Sequence, residues 1–370
     1  MRWQELGKLC AIKSGGTPSR KQNDYWGGEI PWAKISDLDT PDGGPLKFTE
    51  ERISSQGLEA IRNRIFPVGT ILLAIYGSVG KTAVLGVESS CNQAILGIQI
   101  EDAEALDPEY LLFWLRSVAE KLMSQAKGVA QKNISLKQVK ELKIPLPPLE
   151  EQKRIAAILD EADRVRKKTQ ALIDKYDELA QSLFLDMFGD PVTNPKGWEV
   201  KPLGKLAHMK AGKFVRASDI IEECDEGMNP CYGGNGLRGF VESTTHEGEF
   251  VLIGRQGALC GNVKLVKGLF HATEHAVVCT PSLSYESEWF YHLLVMLDLN
   301  RFATGAAQPG LNVGTLNEVS VPYPPQELQQ SFSLMIKNLT AQKELTDQGS
   351  QESQEIFQAL LQKAFKGELT

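Results

Sequence analysis

The sequence predicts an α+β protein that uses one plan twice: two mixed, β-rich globular domains in tandem, each followed by a long coiled-coil-like helix. An internal repeat is the first observation behind this. A shift of 177 residues carries IPLPPLEEQ, which begins at Ile144, onto VPYPPQELQ, which begins at Val321. The same shift carries GVAQ, from Gly128, onto GAAQ, from Gly305. Similarity at a fixed offset indicates tandem copies of one unit.

Helical periodicity is the second observation. Apolar residues recur at three- and four-residue steps after each proline cluster, which predicts a helix from Leu149 to about Phe188, closed by Gly189, and another over residues 325–366. The first stripe comprises Ile155, Ile158, Leu159, Ala162, Val165, Leu172, Tyr176, Leu179 and Leu183. At about 40 residues, or roughly 60 Å, each helix suits a spacer. The second is polar around Gly349, where we expect looser packing or a bend.

Four segments follow from these patterns. Residues 1–147 and 191–324 are the globular domains, with strand-like runs such as TILLAIYG and GEFVLIGR between turn-forming residues. Residues 148–190 form the central helix segment and residues 325–370 the distal one. Proline fixes an extended approach and is tolerated in a first helical turn, so both proline clusters are interpreted as helix entrances.

Composition limits the function classes. The six cysteines show no C-x-x-C pair, and the five histidines show no zinc spacing, so we expect free thiols and no metal site. No stretch approaches the roughly 20 apolar residues of a membrane span, and no signal peptide is evident, so a cytoplasmic location is expected. The formal net charge of −7 weighs against a nucleic-acid partner without excluding a locally basic face.

Two motifs resemble catalytic ones and fail. In IYGSVGKT only Ser78 and Val79 separate Gly77 from Gly80, whereas a phosphate-binding loop needs four residues between its glycines. The segment is either a turn that presents Ser78 and Lys81 to a DNA phosphate or a plain turn with an exposed lysine. In NPCY, Cys231 breaks the Asn-Pro-Pro-aromatic pattern of adenine methyltransferases. Neither motif supports an enzyme.

Polar and basic side chains on glycine-rich loops are the groups that contact base edges and phosphates. In the first domain the candidates are Thr17, Ser19, Arg20, Lys34, Ser36, Asp37, Tyr76, Ser78, Lys81, Asn92, Gln93, Gln131, Lys132 and Asn133. In the second domain they are Lys213, Tyr232, Asn235, Arg238, Arg255, Gln256, Glu274, His275, Gln308 and Asn312.

The combined motifs resemble one family. SGGTPSR, YWGGEIPWAKISDL, GVAQKNIS, IPLPPLEEQKRIAAILD and FGDP in the first half, with YGGNGLRGFV, VLIGRQG, GAAQPGLN and KAFKGEL in the second, are similar to specificity subunits of type I restriction-modification enzymes. The resemblance covers nearly the whole chain. It implies that each domain is a target recognition domain for one half of a split sequence in double-stranded DNA. It also implies that the two helices pack antiparallel, in a pseudo-two-fold repeat, and hold the domains apart.

The same resemblance implies a chain without catalysis or cofactor of its own. Two modification subunits would dock and supply S-adenosylmethionine, and a restriction subunit would supply ATP and Mg²⁺ chemistry. Two alternatives remain open: a scaffold of the same fold that no longer reads DNA, for which the net charge is the main support, and a fused methyltransferase or NTPase, against which the failed motifs at Gly77 and Asn229 argue. The two halves also differ, since Thr273-Glu274-His275 stands where the first domain has Cys91-Asn92-Gln93, so those positions are not assumed to make the same contact.

Overall fold

The computed structural model describes residues 2–40, 44–119, 134–257, 259–305 and 309–369. The chain forms two compact units. Unit 1 comprises Met1–Gln170 and Gln348–Thr370, and unit 2 comprises Ala171–Asp347. The boundaries fall inside the two long helices, so each helix contributes one segment to each unit.

Unit 1 is built from short strands and short helices ahead of the central helix. Its strands are β1 (Trp3–Glu5), β2 (Cys10–Ser14), β3 (Trp26–Ala33), β4 (Glu51–Ile53), β5 (Ile71–Ala74), β6 (Thr82–Val84), β7 (Ser90–Cys91), β8 (Ile95–Ile100) and β9 (Lys143–Pro145). Its helices before the central one are α1 (Ser55–Ala60), α2 (Pro108–Ser117) and α3 (Leu136–Glu141). The strands form sheets of order β2-β8-β5-β6, β4-β3-β7 and β1-β9, with β3 and β7 parallel.

The central helix α4 spans Leu149–Phe188. All later elements lie in unit 2, apart from the last part of the distal helix, which belongs to unit 1. The strands are β10 (Val200–Pro202), β11 (Ala207–Ala211), β12 (Asn229–Gly233), β13 (Gly236–Val241), β14 (His246–Gly254), β15 (Val263–Ala272), β16 (Ala276–Pro281) and β17 (Ser320–Pro322). The helices are α5 (Leu203–Leu206), α6 (Ser287–Met296), α7 (Val313–Glu318) and the distal helix α8 (Gln326–Lys366). Strand order is β11-β16-β14-β15-β12-β13, with β10-β17 apart.

The two units share a plan but differ in one strand. In unit 2 the ten-residue β15 pairs with β14 along its length and with β12 at its end, which joins the strands into one six-stranded sheet. In unit 1 two short strands stand in place of one long strand: β6 pairs with β5, and β7 pairs with β3. The sheet is therefore split in unit 1.

Both helix entrances are fixed by a buried glutamine. The Gln152 amide donates to the carbonyls of Ala105 (3.0 Å) and Pro147 (2.9 Å) and accepts from the Asp107 N–H (3.0 Å). Gln329 repeats this in unit 2, donating to the Pro324 carbonyl (2.9 Å) and accepting from the Glu286 N–H (3.1 Å). Both side chains are fully buried. Each amide thus attaches its proline cluster to the globular part.

Apolar side chains join the helix segments to each core. In unit 1, Ile155 and Leu159 of α4 lie in one cluster with Phe357 and Leu361 of α8. In unit 2, the rings of Phe184 and Phe332 meet at a centroid distance of 5.6 Å. Within each unit, therefore, an early segment of one helix meets a late segment of the other.

A buried carboxylate anchors α4 to the domain in unit 1. Asp163 accepts from Arg116 of α2 (3.3 Å), from Arg166 (2.7 Å) and from Lys167 (2.8 Å). Burial raises the pKa of this carboxyl group, but the hydrogen bonds from Lys167 and Arg166 outweigh burial and leave the pKa lowered.

The helical stripe does not pack as one surface. Ile155 and Leu159 are buried, but four other stripe residues stay 39% to 50% exposed, namely Ile158, Val165, Leu172 and Leu179. The expected bend at Gly349 is not seen as a break, since α8 continues through that residue. No helix among the described residues is long and apolar enough to cross a membrane.

Candidate functional site

Both units hold one short loop with the same backbone hydrogen bonds. In unit 1 the loop is residues 92–94, fixed by Gly16 N to Cys91 O (2.8 Å), Asn92 N to Ala33 O (2.9 Å), Ile75 N to Ala94 O (2.9 Å) and Ile95 N to Asn92 O (2.9 Å). In unit 2 the loop is residues 273–275, fixed by Lys213 N to Ala272 O (2.8 Å), Thr273 N to Tyr232 O (2.8 Å), Arg255 N to His275 O (3.0 Å) and Ala276 N to Thr273 O (3.0 Å). We call this arrangement the loop frame.

A glycine makes room for each loop frame. A Cβ atom on Gly15 would lie 2.2 Å from the Cys91 carbonyl oxygen, and one on Gly212 would lie 2.1 Å from the Ala272 carbonyl oxygen. Real Cβ atoms do not approach a carbonyl so closely, so a larger residue would push the loop away. The glycines of SGG and KAGK therefore have a packing reason.

The loop frame corrects the register taken from the sequence. The shared bonds match Asn92 with Thr273 and Gln93 with Glu274, which places Ala94 opposite His275. The pairing of Cys91-Asn92-Gln93 with Thr273-Glu274-His275 was wrong by one residue. Insertions change the offset between the halves, so sequence shifts alone do not define which side chains share a backbone position.

Gln93 is the most exposed residue of the unit 1 loop and adjoins two cavities. One, of about 580 Å³, is also lined by Tyr76 and Ser135. The other, of about 560 Å³, is also lined by Thr17, Arg62 and Arg64, among others. The Thr17 hydroxyl donates to the Gln93 amide oxygen. Three predicted residues, Thr17, Tyr76 and Gln93, are thus brought together.

Sequence reasoning missed the two arginines at this place. Arg62 is exposed and has a left-handed backbone (φ 61°), and Arg64 donates to the Gly15 carbonyl at 2.5 Å. The two basic residues of IRNR, directly after α1, could have indicated this place. They were missed because the segment contains no glycine, and only glycine-rich loops were considered. Together they add positive charge beside Gln93.

Arg20 and Lys34 form a second group in unit 1 around Glu51. The Arg20 guanidinium lies 3.7 Å from the Trp26 ring centroid and 2.5 Å from Glu51 Oε2. The hydrogen bond from Arg20 to Glu51 is the main reason why the pKa of Glu51 is lowered. Lys34 pairs with Glu50 (2.5 Å), and that hydrogen bond is the main cause that raises the pKa of Lys34. Both cations are therefore already paired.

The remaining unit 1 candidates lie apart. Residues 77–81 form a tight turn in which Lys81 N donates to Ser78 O (3.3 Å), and the Lys81 ammonium pairs with Asp39. Lys81 lines a different cavity, of about 860 Å³, shared with Arg116 and Phe357. Ser19, Ser36 and Ser78 are exposed, and the Asp37 carboxylate accepts from the Lys34 N–H (2.8 Å). Asn92 belongs to the loop frame itself, where its Oδ1 accepts from Ala94 N (2.8 Å).

Unit 2 concentrates unsatisfied polar atoms at its loop frame. Five buried side-chain atoms of the described residues have no hydrogen-bond partner, and three belong to neighbours there: Arg255 Nε, Glu274 Oε2 and His275 Nδ1. The other carboxylate oxygen, Oε1, lies 3.2 Å from His275 Nε2. An unpaired buried polar group costs about 1–3 kcal/mol, so these atoms need partners, such as water or a ligand, that the described protein residues do not supply.

The other unit 2 candidates differ in exposure and in their contacts. Lys213, Arg238 and Gln256 are exposed, and the Tyr232 ring packs edge-on against Phe270 at 5.9 Å. Asn235 accepts from Asn262 (3.2 Å). Asn312 caps α7 by accepting from Gly314 N (2.8 Å), so its oxygen has a structural partner. Phe214, 72% exposed beside Lys213, was missed, since only polar residues were considered.

Four candidates, Gln131, Lys132, Asn133 and Gln308, lie outside the described residues. NPCY is not a catalytic loop but strand β12, which hydrogen-bonds to β13 and β15. Within the described ranges no three His, Cys, Asp or Glu side chains are grouped so as to hold a metal ion.

Comparison with known proteins agrees with two copies of one recognition unit. The family of the type I restriction modification DNA specificity domain matches residues 2–175 and again 195–354. The chain belongs to this family of specificity subunits. The EcoprrI specificity subunit of Escherichia coli is 32% identical over 343 residues, 89% of this chain and 85% of that protein. The MjaIX specificity subunit of Methanocaldococcus jannaschii is 26% identical over 401 residues, 99% and 93% of the two chains.

Solved specificity subunits share the fold. The S subunit from M. genitalium superposes with a TM-score of 0.63 at 20% identity, covering 99% of this chain and 96% of that one. A chain from a study of type I R-M complex assembly gives a TM-score of 0.57 at 20% identity, over 100% and 98%. This specificity subunit therefore has two DNA specificity domains in tandem and serves in DNA target recognition.

Proposed function

We propose that this specificity subunit reads a bipartite target in double-stranded DNA, with one unit for each half-site, and catalyses no reaction itself. The observation that carries the proposal is the loop frame. The same backbone bonds present Gln93 in unit 1 and Glu274 in unit 2. One scaffold with different polar side chains suits two readers of unrelated half-sites.

The long helices support the proposed partners. Ile158, Val165, Leu172 and Leu179 recur at seven-residue intervals on α4 and remain partly exposed. Exposed apolar stripes of this kind are typical of helix-docking surfaces. We propose that two modification subunits and a restriction subunit dock on this chain and carry S-adenosylmethionine, ATP and Mg²⁺. The helices would pack antiparallel and set the distance between half-sites.

A scaffold that does not read DNA is a second candidate, and one observation favours it. Arg20, Lys34 and Lys81 are each paired with a carboxylate of the same unit. Each of these cations must give up its carboxylate partner before it can contact a DNA phosphate. Ion pairs at the protein surface are weak, so DNA phosphates can displace these carboxylates.

Methylome sequencing tests the proposal. A host expresses this chain with its modification subunit, with either gene alone, or with neither. A new split motif with methyladenine in each half, dependent on both genes, supports DNA reading and names the target. If the complex forms and no motif appears, the scaffold function takes its place.

A further inference from the structure

The middle residue of the loop frame differs in chemistry between the units. A glutamine amide both donates and accepts, whereas a carboxylate only accepts. Gln93 is exposed, and its oxygen already accepts from Thr17, which restricts the side chain and leaves one lone pair and two N–H groups for a ligand. Glu274 has one oxygen beside His275 and one without a donor among the described residues.

Base edges in the major groove satisfy these two groups differently. Adenine offers N6–H₂ and N7 side by side, which match a glutamine amide in a bidentate pair. Cytosine offers N4–H₂, a donor that a carboxylate accepts. A carboxylate near DNA phosphates needs a base amino group as its donor, and the N7 acceptor beside the adenine amino group would repel it, so cytosine suits Glu274 better than adenine.

We infer that Gln93 and Glu274 are specificity-determining residues, with Gln93 reading an adenine in the first half-site and Glu274 a cytosine in the second. The inference rests on the function proposed above. The Glu274 side chain is 34% exposed and its Oε2 atom is buried without a donor, so turning this carboxylate outward to a base amino group would give that oxygen the donor it lacks.

The test uses the complex of this chain with its modification subunit. Duplexes carry the target from the methylome and every single-base change in each half-site, and competition binding ranks them. For Glu274→Gln we expect the preference for cytosine at one position of the second half-site to fall by roughly 5- to 150-fold, with adenine favoured instead. The first half-site keeps its preferences. Gln93→Glu should make the opposite change, from adenine to cytosine, in the first half-site.

Controls separate folding from reading. Glu318→Gln, an exposed carboxylate at the end of α7 and outside the loop frame, should leave every preference unchanged. Thermal unfolding of each complex shows whether it is folded. Unchanged preferences in either folded variant, or a folded Glu274→Gln complex that binds no duplex, would overturn the inference. If the wild-type complex yields no methylation motif, the proposed function itself fails.

Discussion

Replacing Gln152 with methionine removes the amide that attaches the helix entrance in unit 1. Methionine fills a similar volume, so the change deletes three hydrogen bonds, to Ala105, Pro147 and Asp107, and leaves their backbone groups without that partner. At about 1 kcal/mol for each bond, the free energy of unfolding should fall by about 3 kcal/mol. With a urea slope of about 2–3 kcal/mol/M, the unfolding midpoint falls by about 1 M.

The assay is urea unfolding followed by circular dichroism, with two matched variants. Gln329→Met deletes the two bonds to Glu286 and Pro324 in unit 2 and should cost about 2 kcal/mol. Gln181→Met, on the exposed face of α4, should change the midpoint little. A midpoint for Gln152→Met no lower than that of Gln181→Met would refute the role assigned to the buried amide.

Two further predictions concern acid stability and helix length. Burial in unit 2 lowers the pKa of His292 to about 4. Between pH 6.5 and about 4, therefore, the unfolded chain binds a proton at this histidine and the folded chain does not. The folded state is thus most stable above pH 6.5 and loses stability as the pH falls through this range. At 1.36 kcal/mol for each pKa unit the loss is about 3 kcal/mol, and urea unfolding of His292→Leu should lack this part of the pH dependence. Inserting one helical turn, about 5.4 Å, into each helix after Gln170 and after Asp347 should lengthen the DNA spacer by roughly one or two base pairs. A methylome with an unchanged spacer would contradict the proposal that the helices set the distance.

Helix bounds were predictable because their signals are local. Apolar periodicity with a proline cluster before it and Gly189 after it predicted a helix from Leu149 to Phe188, and the structure has those bounds. Gly189 adopts a left-handed backbone (φ 78°), the conformation in which helices commonly end. Burial along the stripe was not predictable, since which apolar residues are covered depends on what packs against the helix.

The sequence indicated candidate residues on the glycine-rich loops, but it did not predict which of them lie together. Corresponding positions differ by 197 residues at Gly15 and Gly212, by 180 at Ile75 and Arg255, and by 181 at Asn92 and Thr273. No single shift recovers these matches, because insertions lie in the loops between strands. Backbone hydrogen bonds recover them directly. The ion pairs of Arg20 and Lys34 likewise join residues distant in the sequence.

Positions that are identical between the units and positions that differ have separate physical roles. Gln152 and Gln329 are the same residue because their side chains make the bonds that attach the helix entrances. Gly15 and Gly212 are the same because a Cβ atom would strike a carbonyl. Gln93 and Glu274 differ while their loops keep the same main-chain bonds, which no side chain makes. A substitution at that place leaves those bonds in place and changes what the surface can bind. Under the proposed function, recognition can therefore diverge between two copies of one fold without loss of the bonds that maintain it.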